Sequence, residues 1–95
     1  AVFCANDIMA AAFLDELKKH DIRVPDDLSI ICFDDTSATT SGTVKLTTVA
    51  QSPSILGKAT AEIVLKLIAN GHSTCQKAVF PPELKERESV KSIGL

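Results

Sequence analysis

The chain has 95 residues, of which 45% are hydrophobic and 23% charged, with ten Lys plus Arg against twelve Asp plus Glu. That length supports one globular unit with a modest core, because a domain of this size buries only roughly 60 to 65% of its unfolded surface. A net charge of −2, no Trp or Tyr and no basic cluster beyond Lys18 and Lys19 argue against direct nucleic-acid binding, and no apolar run nears the ~20 residues that span a bilayer.

Residues 1–5 are a short apolar run that reads as a buried strand. It opens without a Met, a cap or a polar lead-in, so the chain is expected to be part of a longer protein. Asn6-Asp7 supplies two good N-cap residues before a helical pattern over residues 8–20. Lys18, Lys19 and His20 suit the negative end of that helix dipole, and Asp21 tolerates the left-handed stop. Val24-Pro25-Asp26-Asp27 is a turn signature, and residues 28–33 form a β-branched apolar run that predicts a second strand parallel to the first. The result is a βαβ unit whose ligand-facing edge is the carboxyl end of its strands, where Asn6 and Asp34 fall.

Residues 36–43, TSATTSGT, read as a loop, and residues 46–49 as a short third strand. Ser52-Pro53 combines an N-cap with proline at the first helical position and opens a helix to Asn70 that Gly71 stops. Lys58, Glu62 and Lys66 make its wet stripe. Leu56, Ala59, Ile63 and Leu67, with Val64 and Ile68, make an apolar face that calls for a covering body. Residues 78–80 and 84–89 are brief strand candidates around Pro81-Pro82, the second so charged that it belongs at an edge.

Asp34-Asp35 lacks the further carboxylate, the Lys and the directly following helix that metal-assisted phosphoryl transfer needs. Asp34 reads instead as a hydrogen-bond acceptor for ligand hydroxyls or amines, or as a loop cap. Asn6 is equally a ligand contact or an N-cap, and Gln51 is similarly ambiguous. His20 and His72 have no metal ligands or nucleophile motif at useful spacing. Cys4, Cys32 and Cys75 are widely spaced and read as reduced, apolar side chains, and the scattered glycines make no phosphate loop. No catalytic set, metal site or cofactor is therefore expected. The first helix begins apolar around its whole circumference. Ala10, Phe13, Leu14 and Leu17 can face the sheet, which leaves Ile8, Ala11 and Ala12 for a second subunit or for further chain.

Taken together, Phe3-Cys4-Ala5-Asn6-Asp7, Met9-Ala10, Arg23-Val24-Pro25-Asp26-Asp27-Leu28-Ser29-Ile30, Phe33-Asp34-Asp35, Leu46-Thr47-Thr48-Val49, Gln51, Leu56-Gly57, Pro82-Glu83-Leu84 and Arg87-Glu88-Ser89 resemble the C-terminal part of a LacI/GalR-type bacterial transcriptional regulator. Each motif is weak alone. Their order and intervals make the combination specific.

The resemblance implies an α/β, partial periplasmic-binding-protein-like type I fold, with a parallel βαβ unit, a second helix and short C-terminal strands. Residues 1–48 would belong to the C-terminal lobe, residues 49–72 would cross to the N-terminal lobe, and residues 73–95 would return. By position it assigns Asn6, Asp34 and Gln51 to a small effector, sugar-like or nucleoside-like, and the first helix and the 36–43 loop to a homodimer surface through Ile8, Ala11, Ala12 and Thr36. Operator DNA would be met only by an N-terminal helix-turn-helix domain outside this chain, in the cytoplasm, with no membrane contact. Three departures stand out: Pro53 where some members stack an aromatic on a sugar, Cys32 in place of a usual glycine, and Val44-Lys45 in place of a proline-rich approach to the third strand. The alternative is a sugar-binding transport receptor of the same fold.

Overall fold

A computed structural model describes residues 1–71 and 76–94, so His72 and Cys75 lie outside the described residues. The elements in chain order are β1 (Val2–Phe3), α1 (Asp7–Lys19), β2 (Ile30–Asp34), α2 (Ala38–Ser41), β3 (Thr47–Ala50), α3 (Pro53–Asn70) and β4 (Glu83–Lys85). The chain forms two compact units, Ala1–Ala50 with Glu83–Leu95, and Gln51–Pro82.

The first unit is built on one four-stranded sheet of order β1-β2-β3-β4. β1, β2 and β3 run parallel, with Phe3 opposite Ile31 and Cys32 opposite Thr48, and β4 pairs antiparallel with β3 as the edge strand. Between β1 and β2 lies α1, as the βαβ pattern requires. Its N-terminus is capped by Asn6, whose Oδ1 accepts from the Met9 N–H at 2.8 Å, and it ends at His20 with Asp21 at φ 58°. The core comprises Cys4, Ala10, Leu17, Ile30, Cys32 and Leu46, with Phe13, Leu14 and Leu28 packed against it. The sheet-facing set of α1 read from periodicity therefore holds. Cys4 and Cys32 act as small apolar side chains, and burial pushes both thiols above their usual range.

Two expectations need correction. Residues 36–43 are not all loop, because Ala38–Ser41 winds into a helical turn. The Thr36 carbonyl accepts from Thr39 N–H and the Ser37 carbonyl from Thr40 N–H, so short polar residues satisfy a tight turn that apolar periodicity cannot signal. Residues 78–80 form no strand and are exposed. Pro81 and Pro82 offer no N–H to a ladder, which leaves the pairing to begin at Glu83.

In the second unit, α3 spans the residues that its Ser-Pro start and Gly71 stop predict, with Ser52 Oγ accepting from Ile55 N–H at 3.3 Å. No described residue of α3 is buried. Leu56, Ala59, Ile63 and Leu67 are half-covered, whereas Ile55, Val64, Leu65 and Ile68 are exposed. No helix among the described residues is long and apolar enough to cross a membrane.

Candidate functional site

The parallel strands direct their carboxyl ends to one edge, and β2 ends there in an unusual turn. Asp34 and Asp35 both take positive φ, 107° and 63°. Such conformations cost on the order of 1–3 kcal/mol each in a residue with a Cβ and persist only where the surroundings hold them. The two carboxylates go to different places. Asp34 is exposed, and its carboxylate has no hydrogen-bond or ion-pair partner among the described residues. Asp35 is half-buried, and its Oδ1 accepts from Arg87 Nη2 at 2.7 Å and lies 3.1 Å from Thr39 Oγ1.

Arg87 ties this turn to the sheet. Its Nη1 donates to the Leu46 carbonyl at 2.9 Å, and its backbone N–H donates to Thr47 Oγ1 at 2.9 Å. Thr39, fully buried, places its hydroxyl 2.8 Å from the Thr36 carbonyl as well as near Asp35, so one proton is shared between two acceptors. From the other side Asp7, buried in the first turn of α1, accepts from the Thr36 N–H. Two residues beyond Arg87, the Ser89 hydroxyl donates to the Ile30 carbonyl at 2.6 Å and accepts from the Thr47 N–H at 2.8 Å. The Arg-Glu-Ser triplet thus fastens the tail across β2 and β3 without being a strand.

Of the expected ligand residues, Asn6 and Asp34 follow the carboxyl ends of β1 and β2. Asn6 is half-buried and spends its carbonyl oxygen on the cap, which leaves its amide donors uncommitted among the described residues. Gln51 is exposed and opens the second unit directly after β3. From the sequence, Asp7 reads as an N-cap residue, Asp35, Arg87 and Ser89 stand only as members of motifs and Thr39 only as part of a loop, and none of them is assigned to this turn. The available signals were the Thr-x-x-Thr spacing after the aspartates and the alternation of Arg87 with Ser89, which puts both on one side of an extended tail. No group of three His, Cys, Asp or Glu among the described residues could hold a metal.

On the expected dimer surface, Ile8 is 70% exposed, Ala12 and Thr36 are exposed, and Ala11 is half-buried. Ala11 also lines a groove of about 630 Å³ between α1 and the 38–44 segment, with Leu14, Lys18, Val24, Ser41 and Leu46 among its walls.

The periplasmic binding protein-like domain family matches residues 1–90. Among curated relatives, the transcriptional repressor PurR of Haemophilus influenzae strain PittEE is 40% identical over 96 residues, covering 98% of this chain and 29% of the relative. Among solved structures, a LacI family regulator from Enterococcus faecium with bound ribose aligns at TM-score 0.85 and 29% identity, over 94% of this chain and 33% of that one. The Lac repressor dimer bound to operator and the anti-inducer ONPF aligns at TM-score 0.83 and 26% identity, over 95% and 31%. The chain spans about a third of the length of these proteins. It belongs to the periplasmic binding protein-like domain family, in the branch formed by the effector-binding domains of LacI/GalR-type transcriptional regulators.

Proposed function

We propose that the chain serves a cytoplasmic, DNA-binding regulator by holding a small effector, sugar-like or nucleoside-like, at the carboxyl edge of its parallel sheet. The observation that carries this reading is the exposed carboxylate of Asp34 on a costly turn, unpartnered among the described residues, with Asn6 following the end of the neighbouring strand β1 and keeping its amide donors uncommitted there. A carboxylate accepts from ligand hydroxyls and an amide donates to ring oxygens or carbonyls, which together suit a polyhydroxylated or nucleoside-like molecule. Gln51 is the third contact that the reading assigns, by its place after β3. The ribose bound to the Enterococcus relative supports the ligand class. Effector binding would change operator affinity by favouring one of two states of the longer protein, since only a difference in affinity between states can shift their balance. The transport-receptor alternative gains no support, because the relatives described above are named as repressors and regulators.

The test is Asp34→Ala in the complete protein, titrated calorimetrically with a set of monosaccharides, disaccharides and nucleosides. A ligand that binds the wild type should lose at least about tenfold in affinity, or 1.4 kcal/mol, with an unchanged circular-dichroism spectrum. Undiminished affinity would sink the assignment.

The same reading makes the protein a homodimer through Ile8, Ala11, Ala12 and Thr36, as the exposed Ile8 and the apolar first turns of α1 suggest. Ile8→Glu should shift sedimentation toward the monomer at micromolar concentration. A dimer of unaltered stability would remove Ile8 from the interface.

A further inference from the structure

Asp35 and Arg87 contact no ligand in the reading above, yet they form the half-buried ion pair beneath the turn that presents Asp34. Three facts meet at this pair. The turn holds two successive positive-φ aspartates, which a chain does not adopt unless it is held. The second of them accepts from a guanidinium whose other arm donates to the Leu46 carbonyl, at the entrance to β3. Leu46 N–H in turn donates to the Thr39 carbonyl at 2.8 Å, so the short helix after the turn is referenced to the same point. The planar fork of Arg87 therefore sets a fixed spacing between the sheet and Asp35, which a lysine ammonium at the end of a flexible stem could not set.

We infer that Arg87 is a positioning residue for effector recognition: through Asp35 it fixes the Asp34–Asp35 turn and thereby holds the Asp34 carboxylate outward at the sheet edge. The inference rests on the reading of Asp34 as an effector contact. Arg87 itself touches no ligand. Its reach is long in sequence, 52 residues from Asp35, so a tail segment governs the geometry of a strand end.

The experiment compares Arg87→Lys with Ser89→Ala in the complete protein. Ser89→Ala breaks two buried hydrogen bonds of the same tail without touching the turn, and so controls for general loosening. Amide hydrogen exchange at residues 35–37 and calorimetry with the sugar and nucleoside set are the readouts. Arg87→Lys should speed exchange in that turn about tenfold or more and weaken binding about tenfold. Ser89→Ala should lower the melting temperature and leave both quantities near wild type. Unchanged exchange in Arg87→Lys overturns the inference, and so does an equal loss in Ser89→Ala at matched stability. If exchange rises in Arg87→Lys but neither it nor Asp34→Ala alters affinity, the hold on the turn stands and the effector role of Asp34 falls. If no member of the set binds the wild type, that ligand class falls and exchange alone decides whether Arg87 fixes the turn.

Discussion

Asn6 before α1 and Ser52 before α3 work alike: each side-chain oxygen accepts from the backbone N–H three residues on, at 2.8 and 3.3 Å. Beyond the first turn the two helices diverge. α1 sends Ala10 and Leu17 into the core beside β2, whereas α3, longer by five residues and richer in Leu and Ile, buries none of its described residues. Local signals of cap, proline and glycine thus suffice to place a helix. They do not decide whether its apolar face finds a partner.

That contrast can be broken by matched truncations. Leu17→Ala in α1 removes a buried side chain and should cost about 2–4 kcal/mol of unfolding free energy in urea. Leu67→Ala in α3 removes a half-exposed one, and the better helix propensity of alanine offsets part of the loss, so about 1 kcal/mol or less is expected in the 95-residue chain. Equal costs in this chain would contradict the difference in burial. Measured again in the complete protein, a cost for Leu67→Ala that rises to the level of Leu17→Ala would reveal a covering body over α3.

The same contrast marks what the residues disclose on their own. The bounds of α3, the Asn6 cap, the left-handed Asp21 and the core face of α1 each follow from residues within a few positions of one another. The strand ends at Asn6 and Asp34 were legible for the same reason, since an apolar β-branched run followed by polar residues fixes both the element and its edge. The hold on Asp34 was not legible. It joins Asp7 to Thr36 across 29 residues and Arg87 to Asp35 across 52, and the Ser89–Ile30 bond that fastens the same tail to the sheet spans 59. Polar side chains paired across such separations leave no periodicity, and Thr39 and Ser89 look like ordinary surface residues until their neighbours are known. The short helix at Ala38–Ser41 went unread because its stabilising groups are hydroxyls and carbonyls, not an apolar stripe.

Asn6 is where the capping function that α1 shares with α3 and the ligand role proposed for the sheet edge fall on one side chain, and chemistry can separate them. Asn6→Ala removes both the cap oxygen and the amide donors, and should cost about 1 kcal/mol of stability together with effector affinity. Asn6→Asp keeps an oxygen for the Met9 N–H and adds a negative charge where the helix dipole favours one, so its stability should stay within about 1 kcal/mol of wild type. It has no N–H to donate. Ligand binding should therefore fall in the aspartate variant although the helix start is intact, read by calorimetry with the sugar and nucleoside set and by denaturation in urea. Ser52→Ala supplies the reference for a cap alone, because it removes the equivalent bond from α3. If Asn6→Asp binds as tightly as the wild type, Asn6 is a cap of the same kind as Ser52, and recognition at this edge rests on Asp34 without it.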